Sequence, residues 1–389
     1  MHNVADQEKK YAAELQSELS NILSYWMDFT PDDHYGGFVG RIDQDNIIDE
    51  TAPKGAVLHA RILWSFAAAY NLNPLPEYIE HAGRAYHYIV DHLLDHEFGG
   101  VYSSADPKGN PLDTKKQIYT IAYTIYAMSE FFMASGKEVA KDHAVALYKD
   151  LIRYGLDKEK GGYFEAFGQQ WEPLDASKTM NTQLHVLEGL TNLYRIWPDE
   201  ELKLQLLDLL ANFRNFIIDA DTGHMGLLFD EDWCQKSDTI SYGHDIEASW
   251  LLQEAAAMTG EAELIAAFKV ITLKMSTASL EALDADGGMW YTCEPASQRV
   301  LREKHWWVQA EAMLGFYKAW EWSGEEKFLA ASMGAWAFVK NRIIDRNNGE
   351  WFWGIGADDQ VMPDQDKTGP WKCPYHNSRA CIEIIKSTA

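Results

Sequence analysis

Basic side chains are scarce in this sequence. Thirty-four Lys and Arg face 59 Asp and Glu, for a formal net charge of −25. Nucleic acid and anionic membranes both demand a basic footprint, so neither is expected as a partner. Phosphorylated substrates are disfavoured on the same ground. There are only four cysteines, Cys234, Cys293, Cys373 and Cys381, and they do not cluster at metal-ligand spacings. Reduced thiols in a cytoplasmic protein are the simplest account. No run of about 18 apolar residues occurs, and the polar N-terminus, MHNVADQEKKYAAELQSEL, lacks a signal peptide's apolar core. No linker, Pro-rich stretch or charge block marks a boundary, so residues 1–389 are expected to form one domain. Also missing are a phosphate-binding glycine loop, a nucleotide fingerprint, a zinc signature and a serine-nucleophile elbow.

Aromatic residues, by contrast, are plentiful. Fifteen Trp and 19 Tyr offer flat apolar faces with polar handles, which suit core packing and sugar stacking alike. With 47% apolar residues the chain can bury a large core. Its 389 residues exceed the usual single-core size, which favours two domains or one large closed architecture.

A period decides between them. A polar turn, glycine, then aromatic or apolar residues recur at Gly37, Gly100, Gly162, Gly223, Gly288 and Gly349, at spacings of 63, 62, 61, 65 and 61 residues. Each interval holds two helical patterns. Thr114 to Ser135 is apolar over much of its circumference, as a buried helix must be. Glu138 to Tyr154 carries Val139, Ala144, Leu147 and Leu151 as a single stripe, as an outer helix would. One inner and one outer helix, repeated six times without distinct capping units, predicts an all-α (α/α)6 barrel with short hairpins at the glycine turns.

The repeat also predicts a site. Arg61, Tyr119, His185, His244, Trp307 and His376 interrupt apolar inner helices 19 to 27 residues after the glycine markers. They therefore converge on one mouth of the barrel. In SYGHDIEASWLL, His244 falls in the first turn of a helix, with Glu247 on the same face and placed to orient it. MNTQLHVLE sets Asn181 and His185 four apart, with Glu188 three beyond. Lys116 sits beside Tyr119, and KHWWVQAEA supplies Trp306 and Trp307, one of which is placed to floor a sugar pocket. Arg61, amid Leu58, Ile62 and Trp64, is either ion-paired or a forked donor to an oxyanion. Either His–Glu pair has metal-ligand spacing, but no carboxylate cluster accompanies it, so no metal is expected.

The motifs MNTQLHVLE, SYGHDIEASWLL, HWWVQAEA and WKCPYHNSRAC, with GGFVGRID and APKGAVLHARILWSFAAAY, resemble the N-acylglucosamine 2-epimerase superfamily, above all its cellobiose 2-epimerase branch. The resemblance spans about Leu15 to Ile385. It implies an (α/α)6 barrel acting without a redox cofactor on the reducing-end sugar of a neutral mono- or disaccharide, as a monomer or weak homodimer. It further implies that His244 and His376 are the acid–base pair and that His185 serves ring opening. Arg61, Tyr119, Asn181, Glu247, Trp307, Trp371 and Lys116 match positions that touch the sugar or back those that do. Two positions depart from the pattern. Gln117 replaces a histidine common beside the lysine, and the segment from Trp171 to Thr179 is shorter than in many disaccharide epimerases. Epimerisation of glucose or mannose itself, and aldose–ketose isomerisation, are the alternatives that follow.

Inverting C2 of an aldose requires ring opening, removal of the C2 proton and its return on the other face of a cis-enediolate. Histidine suits both proton transfers, because its ordinary pKa of about 6.5 permits either state near neutrality. The helix start lowers the pKa of His244 and His376, while Glu247 would raise that of His244, so the pair is expected to rest in different protonation states. Arg61 is the candidate to stabilise the enediolate. A glycoside hydrolase on the same toroid would instead need paired carboxylates, and a non-catalytic sugar-binding module would not need three histidines at one height.

Overall fold

The computed structural model describes residues 2–388, and among them twelve helices form two concentric rings. The inner ring is α2 (Ala56–Leu72), α4 (Ile118–Ser135), α6 (Met180–Ile196), α8 (Tyr242–Thr259), α10 (Trp306–Ser323) and α12 (Tyr375–Thr388). The outer ring is α1 (His2–Phe29), α3 (Pro76–Tyr88), α5 (Glu138–Asp150), α7 (Glu200–Asn212), α9 (Ala262–Ser279) and α11 (Glu326–Phe338). Each inner helix packs on the next, and α12 packs on both α10 and α2, so the ring closes. The outer helix α1 lies against α12, which makes the chain's first helix the last stave of the wall. No described helix is long and apolar enough to cross a membrane.

The division into inner and outer follows composition. Every residue of α4 from Thr120 to Phe131 is buried. Outer α5 buries only Ala140, Ala144, Leu147 and Tyr148. Two expectations shift here. Val139 is exposed and Ala140 takes its place in the stripe, because Ala140 lies four residues before Ala144 and shares its face, whereas Val139 lies five before it. The inner helix expected from Thr114 begins at Ile118, since Lys116–Gln117 form a strand.

Those strands stitch the ring together. The two residues before an inner helix pair with the hairpin of the following unit, as Lys54–Gly55 do with Ser104–Ala105. Four further pairings repeat this around the mouth, and Ile42–Asp43 with Asp366–Thr368 makes the sixth. A lysine locks five of the joints. Lys54, Lys116, Lys178, Lys304 and Lys367 reach Asp32, Asp95, Asp157, Asp284 and Asp345 at 2.6, 2.9, 2.7, 2.9 and 2.6 Å. Each of these aspartates opens a hairpin turn; Asp95, for instance, accepts the amides of Glu97 and Phe98. In the fourth unit Ile240 occupies the lysine's position. The starts of all six inner helices, bound into one rim, surround the mouth.

Candidate active site

At that mouth lies a cavity of about 290 Å³, near the lower end of the range for small-molecule sites. Arg61, Tyr119, Asn181, His185, His244, Glu247, Trp306, Trp307, Trp371 and His376 all line it. Six inner helices thus contribute to one site, as the register predicts. Lys116 does not. It is fully buried in its lock with Asp95, and its ammonium lies 4.9 Å from the Trp171 ring centre. Its candidacy for the sugar site is corrected to a structural role: it recurs because the joint recurs.

His244 is the third residue of α8. Its Nδ1 is hydrogen bonded to the hydroxyl of Ser241, the residue capping that helix, at 2.7 Å. Glu247 does not orient it, contrary to the sequence expectation. Gly243 leaves room for Trp307, whose ring would lie 2.6 Å from a Cβ there. Trp307 consequently sits between the two proposed acid–base residues, with ring centres 4.7 Å from His244 and 5.6 Å from His376. It belongs to α10, which α8 and α12 flank.

Below the cavity, the buried Arg379 guanidinium gathers three carboxylates. Nη2 donates to Glu247 at 2.6 Å and to Glu311 at 2.5 Å, and Nη1 donates to Glu188 and the Tyr375 hydroxyl. Two of these carboxylates carry the cluster up to histidines. Glu311 meets His376 Nδ1 at 2.7 Å and Glu188 meets His185 Nδ1 at 2.8 Å. Of the two candidate acid–base histidines, His376 is therefore the one with a carboxylate partner, Glu311 on α10. Arg61 donates to the hydroxyls of Tyr119 and Tyr123 at 2.6 and 2.8 Å, and the latter lies 3.0 Å from His185 Nδ1.

Burial sets the charges. It holds His244 down at about 3, helped by the neighbouring His185 and His376. It holds His376 at about 3 as well, against the pull of Glu311. Both histidines are therefore neutral near pH 7, and the expected split in protonation between them is not found. His185 is lowered by burial, against the opposing effect of its hydrogen bond to Glu188. Burial and the nearby Glu311 push Glu247 up to about 8. For Glu311 burial also pushes upward, but Arg379 and His376 outweigh it and bring it to about 2.

Glu247, Glu311 and His376 offer ligand atoms within 4.8 Å of one another, the spacing of a metal site. Arg379 already donates to both carboxylates at that point, so a cation is supplied by the chain itself. Above the cluster, Arg61 Nε, Asn181 Oδ1, Glu247 Oε2 and Trp306 Nε1 are buried without a protein partner. Buried polar groups seldom stay unpaired, and all four belong to residues lining the cavity. Hydroxyl groups of a bound sugar are suited to pair them.

Three lining residues escape the sequence argument: Tyr291, His305 and Trp353. His305 stacks on Tyr291 with ring centres 4.1 Å apart and meets Trp353 edge-on. Tyr291 and Trp353 each lie three residues after the second position of a glycine turn, a register that carries them to the mouth. Half-exposed Trp371 stands near Tyr119 at the entrance. The short segment from Trp171 to Thr179 contributes nothing to the lining.

Comparison with known proteins fits this geometry. The family described as N-acylglucosamine 2-epimerase matches residues 36–380. The chain belongs to that family. Cellobiose 2-epimerase of Bacteroides fragilis is 46% identical over 96% of this chain and 98% of its own. Cellobiose 2-epimerase of Ruminococcus albus is 37% identical over 96% and 98%. The solved cellobiose 2-epimerase of Bacillus thermoamylovorans superposes with a TM-score of 0.94 at 36% identity, covering 97% of this chain and all of that one. The family's twelve-helix barrel is the fold observed here.

Proposed function

We propose that this protein is a sugar 2-epimerase that interconverts glucose and mannose at the reducing end of a β-1,4-linked disaccharide, turning cellobiose into 4-O-β-glucosyl-mannose. The observation that carries the reading is the pair His244 and His376, on helices either side of α10, lining one cavity with Trp307 between them. The similarity to cellobiose 2-epimerases supports the substrate.

The chemistry divides among named groups. His185, backed by Glu188 and in contact with Tyr123, is placed for the proton transfers that open the ring. One histidine then removes the C2 proton, and the other, as imidazolium, returns one to the opposite face. Glu311 stabilises positive charge on His376 through Nδ1, whereas His244 has only the Ser241 hydroxyl. His376 is accordingly the better carrier of the proton when substrate is bound, and His244 the better neutral base. Arg61 holds the developing enediolate oxygen, worth a few kcal/mol if preorganised. The cavity takes the reacting ring, and Tyr291, His305, Trp353 and Trp371 supply aromatic surface for the second one at the mouth.

Assaying cellobiose, mannobiose, glucose, mannose and N-acetylglucosamine side by side tests this. Cellobiose is expected to give the mannose-ended disaccharide as main product. Turnover confined to single sugars would shift the assignment to a monosaccharide 2-epimerase. A ketose as main product would make the protein an isomerase, and release of glucose would make it a hydrolase.

A further inference from the structure

In four of the six hairpins, the second residue of the turn is glycine because nothing else fits. A Cβ would lie 2.5 Å from Tyr88 at Gly37, 2.9 Å from Trp171 at Gly100, 2.5 Å from Trp233 at Gly162 and 2.8 Å from Lys304 at Gly288. In the fourth and sixth units the same position carries an ionisable side chain, His224 and Glu350. These are the units whose inner helices present His244 and His376.

Both side chains reach the same place. His224 Nδ1 is 2.8 Å from Asp245 Oδ2, and Asp245 follows His244 in the chain. Glu350 Oε1 accepts from Asn377 at 2.8 Å, and Asn377 follows His376. All four are buried. In the third and fifth units this helix position is a neutral glutamine, Gln183 or Gln309, which accepts the hairpin amide at 2.9 or 2.8 Å and donates to the carbonyl of the same hairpin residue, with no contact to the side chain of the turn. Asp245 accepts that amide too, from Met225 at 3.0 Å, so the histidine contact is an addition.

Each addition has required an accommodation elsewhere. Glu350 sits at φ +60°, a left-handed conformation disfavoured for any residue with a side chain. In the fourth unit the lock lysine is absent. At Gly288 a Cβ would meet Lys304 at 2.8 Å, and in the fourth unit, which carries His224 at that position, Ile240 stands in the lysine's place. The outer end of His224 is also held, with Nε2 3.4 Å from Glu281, which accepts from the Tyr242 hydroxyl at 3.0 Å.

We propose that His224 and Glu350 are positioning residues that pin the starts of α8 and α12 and so fix His244 and His376 over C2 of the sugar. The proposal rests on the two-histidine reading above. Misplacing a reacting group by about 1 Å can cost on the order of a hundredfold in rate.

The test is His224→Gly, which restores the residue of the other hairpins, beside His224→Gln, which keeps a donor for Asp245. In the glycine variant kcat on cellobiose is expected to fall about tenfold or more with KM within about twofold. Its ratio of ketose to epimer is expected to rise, because an enediolate that waits for its C2 proton collects one at C1. The glutamine variant should recover most of the rate. Glu350→Gly should shift the product ratio in the same sense. If His224→Gly does not fold, Asp245→Asn is read in its place. Amide hydrogen exchange over residues 242–247 should quicken in the glycine variant and stay near wild type in the glutamine one. Unchanged exchange, or an unchanged product ratio with kcat intact, overturns the proposal. The exchange measurement needs no substrate, so it judges the tether even if the wild-type protein epimerises nothing, the result that would remove the function reading itself.

Discussion

Lys116 and Arg379 are both fully buried cations held by carboxylates, yet they belong to different parts of the molecule. Lys116 is one of five identical locks in the rim. Arg379 has no counterpart among the other inner helices and ties three of them to α12 through Glu188, Glu247 and Glu311. What repeats in this protein builds the wall, and what breaks the repeat builds the site. His185, His244 and His376 sit at a repeated height where the other units carry Arg61, Tyr119 and Trp307, so the side chains at that height differ from unit to unit, as chemistry within a symmetric frame requires.

The sharpest way to break the comparison is at the histidines. Replacing His244 or His376 with Ala is expected to lower kcat by about 10²–10⁴ while leaving the circular dichroism and melting of the folded protein near wild type. Substantial turnover in either variant would remove it from the acid–base pair.

Next in size are Glu247 and Glu311, two of the three glutamates on Arg379, for which different effects are expected. Glu311→Gln removes the charge behind His376 and should cost about a hundredfold in kcat, as the loss of one preorganised electrostatic group does. Glu247 is held neutral below about pH 8, so Glu247→Gln should keep most activity at pH 7. The sign follows from ionisation: above pH 8 wild-type Glu247 gains a negative charge beside Glu311, and kcat/KM should fall there. The glutamine variant should lose that fall. Equal damage from both substitutions at pH 7 would show that the two carboxylates act alike.

The rim offers the opposite signature. Lys116→Met leaves Asp95 buried without its partner and should destabilise the fold by about 3–5 kcal/mol, read from urea unfolding. Its kcat/KM per folded molecule should stay within about twofold of wild type. A smaller effect is expected at the entrance, where Trp371→Ala should raise KM for cellobiose several-fold with kcat unchanged, since it removes one stacking face worth about 1 kcal/mol.

The same contrast explains what was legible beforehand. The toroid is written in the 62-residue period and in helices such as α4 that are apolar all round, because both depend on local spacing. Six site residues, one from each inner helix, reach the cavity for the same reason, since a shared register is a shared height, and Asn181, Glu247, Trp306 and Trp371 join them there. Lys116 was misassigned although its own period was visible, with Lys54, Lys178, Lys304 and Lys367 each 20 to 22 residues after an aspartate. The partner of Glu247 was not legible. Arg379 lies 132 residues away on the helix that closes the ring, and side-chain spacing along α8 pointed to His244 instead. Nor could spacing foretell that burial would leave both His244 and His376 neutral. Tyr291 and Trp353 are legible in principle, since they stand at one register of two hairpins, but that register lies outside the inner helices that carry the repeated height.

The central claim is that a proton leaves C2 and another arrives from a histidine in exchange with solvent. Turning over cellobiose in D2O and reading C2 of the mannose-ended product by NMR tests it most directly. The account predicts about one deuterium at C2 for each molecule of product formed. Product that retains protium at C2 throughout would contradict it.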